Sequence, residues 1–180
     1  LLFFADDLAF YAYHRSHHRI RVLWATHVVH RSSQHFNFST ALRQDWSPFT
    51  GSMFWLPLAL FFPTWMIFVA MSWSLIYQFT LHTEVIDRLP RPIEWFWNTP
   101  SHHRVHHGSQ EQYLDRNYGG ILILWDRMFG TFAEERDDEP PVYGTRAPLR
   151  SWNPLWSNIE VYWALAKDSW RARRWRDKLR

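Results

Sequence analysis

Cysteine is absent from the 180 residues. That excludes a disulfide framework, thiolate zinc sites and a cysteine nucleophile, and it fits a reducing cytoplasmic face. Repeats, low-complexity tracts and a signal-peptide pattern are also missing. The chain opens abruptly on Leu1-Leu2-Phe3-Phe4. Residues 1–13 are too short to cross a bilayer that needs about 20 residues, so they are expected to be the end of a helix in a fragment lacking N-terminal transmembrane helices. The net charge is only +3. The positive residues sit beside histidine clusters and in the tail, so no nucleic-acid partner is expected, and by the positive-inside tendency that side faces the cytoplasm.

The most informative absence is of charge along one segment. Residues 46–81 contain no Asp, Glu, Lys, Arg or His. A straight helix of that length would reach roughly 54 Å at about 1.5 Å per residue, whereas the hydrocarbon core of a bilayer is about 30 Å thick. The segment must fold back, and Phe62-Pro63-Thr64 is the natural corner, because proline removes a donor and disfavours helix in the residue before it. The expectation is a membrane hairpin over about 46–82, with arms near 47–62 and 64–82 and a kink at Pro57. Each arm is short for a full span, which a re-entrant hairpin would also satisfy. The 13 Trp, 14 Phe and 7 Tyr add to a membrane reading, since Trp and Tyr collect at membrane–water interfaces.

Further along, Pro90, Pro92 and Pro100 punctuate a loop, and a helix is expected to start at Pro100-Ser101. Gly119, Gly120 and Gly130 mark turns around the apolar run 121–125. From about 154 to 180 the pattern is amphipathic, with Trp156, Ile159, Trp163 and Trp170 on one side. Arg171, Arg173, Arg174, Arg176, Lys178 and Arg180 collect at its end, which suits a helix lying on an anionic membrane surface. The fold class expected is all-α, an integral membrane protein forming one domain over 1–180.

The histidines carry the chemistry. Of eleven, six lie between His14 and His35, four between His102 and His107, and His82 ends the charge-free run. His14 and His18 stand at i and i+4, and His27 and His30 at i and i+3, so each pair shares a helix face. The spacing of His103, His106 and His107 lets all three converge on one point. His18 and His27 are about half a turn out of phase on a continuous helix, so the chain is expected to bend between Arg19 and Trp24, where no glycine or proline marks the place. Neutral imidazole suits iron, zinc, copper and nickel. A structural zinc site needs about four ligands, and here at least eight histidines have ligand spacing, enough for two metals. The Glu-x-x-His pairs of soluble di-iron bundles are absent. His17 and His35 read as satisfying local hydrogen bonds.

Three segments resemble the histidine boxes of the fatty acid hydroxylase and sterol desaturase superfamily: Tyr13-His14-Arg15-Ser16-His17-His18, Leu23-Trp24-Ala25-Thr26-His27-Val28-Val29-His30, and Ser101-His102-His103-Arg104-Val105-His106-His107-Gly108. Asp115-Arg116-Asn117-Tyr118-Gly119 and Trp125-Asp126-Arg127-Met128-Phe129-Gly130 resemble its terminal signature. Within that superfamily, Asn37-Phe38-Ser39-Thr40-Ala41 and Tyr77-Gln78-Phe79-Thr80-Leu81-His82-Thr83-Glu84 are most similar to the alkylglycerol-ether-cleaving group, in its bacterial members. The resemblance covers roughly residues 1–150. It implies a membrane-bound non-haem di-iron monooxygenase that hydroxylates a lipid C–H bond, by ether cleavage or by sterol or fatty acyl hydroxylation or desaturation. The implied iron ligands are His14, His18, His27, His30, His103, His106 and His107, with His82 as an eighth and His102 as a further candidate. Asp7, Glu84, Asp115, Asn117 and Asp126 are implied to orient imidazoles. Electrons would come from an external donor: a reduced pterin, cytochrome b5 or a ferredoxin. One departure stands out. Where the family's second box ends in His-His, this chain has His30-Arg31. Arginine has no lone pair to donate, so Arg31 is expected beside the metals at a cost, and Arg31→His is expected to raise iron occupancy. The alternative reading is an impaired histidine-box membrane protein acting as a metal-binding or scaffolding subunit.

Overall fold

A computed structural model of the chain describes residues 1–44, 46 and 49–174, apart from the side chain of Phe49. Among the described residues, nine α-helices and one 3₁₀ helix account for the regular structure, and no strand occurs, only isolated bridges. Helix α1 (Leu2–Arg19) and helix α2 (Arg21–Arg31) are separated by one residue, Ile20, in an extended conformation (φ −114°, ψ 115°). This is the bend required by the half-turn phase difference between His18 and His27. A β-branched residue makes it without glycine or proline. A short α3 (Phe38–Ala41) follows, closed by a capping box between Asn37 and Thr40.

The charge-free segment turns back on itself. Its first arm is α4 (Phe49–Trp55) continued by a 3₁₀ helix (Leu56–Leu60), and its second is α5 (Thr64–Leu81). The change of helix type falls at Pro57, which cannot donate to the carbonyl four residues back and crowds it. Pro63 then caps the start of α5. The first arm is roughly 20 Å long and the second about 27 Å, so only α5 approaches a full bilayer crossing. It is also the helix long and apolar enough to cross a membrane, and only 17% of it is buried. Trp65, Phe68, Trp73, Leu75 and Ile76 are all more than half exposed. A core helix of a water-soluble domain would hide such residues.

One small apolar cluster, Phe10, Trp55 and Ile67, fastens α1 to both arms. The two open ends of the turn-back lie on the histidines: Thr50 Oγ1 is 3.2 Å from His17 Nε2, and His82 caps α5. Beyond it come α6 (Arg91–Phe96), α7 (Pro100–His107) and α8 (Leu124–Phe129). Tyr77 donates to the Asn98 carbonyl at 2.6 Å, and Asn98 Nδ2 donates to the Gly119 carbonyl at 2.6 Å, tying α5 to the loop after α7. The last helix, α9 (Pro154–Arg171), is capped by Asn153 and packs on α2, with an Arg21–Asp168 ion pair between them. It is shorter than the expected 154–180: Ala172 is extended, so Arg173 and Arg174 lie beyond the helix. Arg176, Lys178 and Arg180, and Asp45 at the start of the charge-free segment, lie outside the described residues.

Candidate metal centre

Eight histidines from four places meet in two groups of four: His14, His18, His27 and His106, and His30, His82, His103 and His107. Within each group the ligand nitrogens all lie within 4.8 Å of one another. Helix α1 serves the first group only. Helices α2 and α7 each serve both, and this corrects the expected convergence of the α7 triplet. His103 and His107, at i and i+4, share one group, whereas His106, about 100° further round from His107, points into the other. His27 and His30 divide the same way. The groups abut, with the His103 and His106 rings stacked at 5.5 Å and the His27 and His30 rings 5.4 Å apart.

Three of the imidazoles are held by their outer nitrogens. Nδ1 of His14 lies 2.9 Å from the Tyr118 carbonyl, that of His82 2.8 Å from the Gln78 carbonyl, and that of His106 2.9 Å from the Arg116 carbonyl. A carbonyl only accepts, so each of these Nδ1 atoms carries the proton and each Nε2 presents a lone pair inward. Asp115 sits 3.5 Å from His18 Nδ1. Inside the cage His14 Nε2 is 3.1 Å from His27 Nε2, and His30 Nε2 is 3.0 Å from His107 Nε2. His82 Nε2 lies 3.3 Å from His30 Nε2 and 3.0 Å from His103 Nε2. Nε2 of His18 and of His106 is buried with no partner. Two nitrogens bound at right angles to one ion at about 2.1 Å would be about 3.0 Å apart, so the spacings and the unpartnered nitrogens fit metal ions. Burial holds six of the imidazoles well below the ordinary histidine pKa and takes His18 and His82 to about 4. All eight are therefore neutral at pH 7, the state in which imidazole binds a metal.

The remaining site residues sit elsewhere. His102 is outside both groups: its Nε2 is 3.1 Å from Glu94 Oε2 and its Nδ1 3.3 Å from Thr99 Oγ1. His17 bonds the Tyr13 carbonyl and Thr50, and His35 belongs to neither group. Of the five polar residues expected to orient imidazoles, only Asp115 approaches a caged ring. Asp7 instead accepts from the Ile121 and Leu122 amides and from Trp125 Nε1, at 2.7–3.0 Å. Asp126 accepts from the Tyr118 and Gly119 amides and from Thr131. Asn117 exchanges two hydrogen bonds with the Ala133 backbone and donates to the His102 carbonyl. These three hold the backbone that carries the Tyr118 and Arg116 carbonyls. Glu84 accepts from Tyr143, whose ring stacks on Phe36, which in turn stacks on His82. Sequence reasoning missed Tyr118, Arg116, Gln78 and Glu94. The first three act through backbone carbonyls, which leave no mark in side-chain identity.

Arg31 is buried beside the cage, and Nη2 reaches only the Gly108 carbonyl, at 3.5 Å. Burial lowers it to about 9, so it remains a cation at neutral pH. Each group holds four histidines without position 31. A cavity of about 550 Å³ opens on the opposite face, lined by five caged histidines and by Phe10, Leu42, Leu75, Ile76 and Phe79.

Comparison with known proteins gives this geometry its relatives. The fatty acid hydroxylase family profile matches residues 1–131. An alkylglycerol monooxygenase of Danio rerio is 46% identical over 164 residues, 91% of this chain and 36% of the relative. The Homo sapiens alkylglycerol monooxygenase is 46% identical over 154 residues, 85% of this chain and 34% of the relative. The ornithine lipid hydroxylase OlsE of Rhizobium tropici is 28% identical over 130 residues, 71% of this chain and 35% of the relative. The alkylglycerol monooxygenase likeness is thus to animal proteins rather than the bacterial ones expected, and the chain spans about a third of the length of these relatives. No solved structure matches it. Because the matched region includes every caged histidine, this chain belongs to the fatty acid hydroxylase family.

Proposed function

We propose that this chain is the catalytic part of a membrane-bound non-haem di-iron monooxygenase acting on a lipid, with an alkylglycerol ether as the most specific substrate. The observation that carries the reading is the pair of buried four-histidine groups opening onto one apolar cavity. His14, His18, His27 and His106 would hold one iron, and His30, His82, His103 and His107 the other. Bound there, the irons supply the redox chemistry that puts one oxygen of O2 into a C–H bond and releases the other as water, using two electrons from an external donor.

The protein's own part is binding, orientation and exclusion of water. Leu42, Leu75, Ile76 and Phe79 form an apolar channel from the exposed face of α5 to His30, His82 and His103, so a hydrocarbon chain can enter from lipid and present its reactive carbon at the cage. Gln44 and Gln78 are polar groups on that wall, suited to a glycerol hydroxyl. Hydroxylation beside an ether oxygen gives a hemiacetal, which collapses to an aldehyde and an alcohol. In this arrangement α4, the 3₁₀ helix and α5 form a re-entrant hairpin whose turn stays in the hydrocarbon, and the cage faces the cytoplasm, where a reduced pterin, cytochrome b5 or a ferredoxin can reach it. The test uses the full-length protein: anaerobic purification, iron analysis, then lipid product analysis after supplying a reduced donor and admitting oxygen. About two irons per chain and an oxygen-dependent aldehyde from an alkylglycerol are expected. A protein fully loaded with iron that oxidises no lipid would sink the reading.

A further inference from the structure

A second cavity, of about 360 Å³, reaches the cage from the side of His18 and is lined by Arg19, Arg21, Arg31 and Arg146 with Asp115 and Trp24. Arg31 is 4% exposed, and its Nε and Nη1 have no hydrogen-bond partner. A guanidinium has only donors and a fixed charge, so burying it unpaired is costly unless an acceptor is supplied. The surrounding charges do not supply one. Arg19 lies 3.6 Å from Asp115, and Arg21 pairs with Asp168 of α9. Neither Arg31 nor Arg146 forms an ion pair among the described residues. The cavity therefore carries an excess of positive charge around donors that nothing among the described residues satisfies.

We propose that this cavity binds a phosphate group against Arg31, carried either by a soluble phosphate compound or by a lipid headgroup. A carboxylate is planar and one arginine fork satisfies it. Here arginines arrive from the end of α1, from both ends of α2 and from the segment carrying Arg146, so their donors approach from several directions, as a phosphate's oxygens require. Gly144 adopts φ 111°, which allows the turn that brings Thr145 and Arg146 to the cavity. The volume exceeds a bare phosphate, and Trp24 and Leu114 offer an apolar wall to whatever the phosphate is attached to. One further consequence rests on the metal reading: eight neutral imidazoles bring no negative charge to two metal ions, so an anion beside His18 offsets part of theirs and should bind more tightly when metal is present.

The experiment measures labelled inorganic phosphate by equilibrium dialysis on full-length protein in phosphatidylcholine nanodiscs, both metal-stripped and metal-loaded. Saturable binding is expected in both forms. Arg31→Met should weaken it about tenfold or more, and Arg146→Gln, at an exposed position, by several-fold. Arg88→Gln, paired with Asp137 away from the cavity, serves as the charge control and should leave it unchanged. Adding phosphatidate to the discs distinguishes the sources: displacement of inorganic phosphate identifies a lipid headgroup, and no displacement a soluble ligand. The proposal is overturned by absence of saturable binding in both forms, or by Arg31→Met and Arg146→Gln both binding as the parent does. Failure to load metal with phosphate binding intact would count against the metal centre alone.

Discussion

The caged imidazoles are not equivalent. His18 and His106 contribute buried Nε2 atoms that have no hydrogen-bond partner among the described residues, so a metal is the natural partner of each. Removing His106 takes a ligand from the first group and leaves the second intact. His106→Ala is therefore expected to lower bound iron from about two to about one per chain and to abolish lipid oxidation, read by elemental analysis and product assay together. His102→Ala is the contrast: its ring faces Glu94 and Thr99, so iron content should stay at the parent value. The structure also changes the expectation for Arg31. With four histidines already in each group, Arg31→His is not needed to make up a set of four, and iron per chain should not rise. A clear rise in iron would show that the second group recruits a fifth nitrogen.

At the scale of elements, the loop after α7 does the positioning. Asp115 and Asn117 both adopt positive φ, 58° and 56°, a conformation that Asp and Asn tolerate better than most residues. The loop places the Arg116 carbonyl on His106 and the Tyr118 carbonyl on His14. Asp126 fixes it through the amides of Tyr118 and Gly119. Asp126→Ala strands these buried donors, at a cost of roughly 1–3 kcal/mol for each group left unsatisfied. A lower unfolding midpoint in detergent is expected, together with faster loss of iron to a chelator, because His14 loses its orienting carbonyl. A variant that loses stability but exchanges iron at the parent rate would separate the loop from the cage.

On the scale of the whole molecule, an apolar cavity and a cationic one both reach the cage, and the proposed function turns the first towards lipid and the second towards water. That reading requires both open ends of the charge-free segment on one side of the membrane, and the contacts of Thr50 and His82 bring both ends to histidines. The chain has no cysteine, so single cysteines can be introduced cleanly. Cysteines at Gln44 and Glu84 should react with an impermeant maleimide from the same side, while one at Phe61, exposed at the turn, should be shielded by lipid. Labelling of positions 44 and 84 from opposite sides would rule out the re-entrant first arm.

The sequence alone determined the helical periodicity, the bend before Trp24, the turn at Pro63 and the face-sharing of seven histidines. Each follows from spacing along one chain: phase on a helix, proline chemistry, or the length of a charge-free run; that His82 joins them was implied only by the family resemblance. Tertiary structure decided how the eight are shared. That division depends on how α1, α2, α7 and the end of α5 cross, which no local spacing encodes, so His106 and His107 part company although they are neighbours. It also reassigned Asp7, Asn117 and Asp126 from rings to backbone, because their partners lie in loops whose path packing sets. Arg31 shows the limit most clearly. Its identity marks a departure from the histidine box, but only the packed structure shows a buried guanidinium with free donors beside a cationic cavity, since burial and partnership are properties of the folded chain.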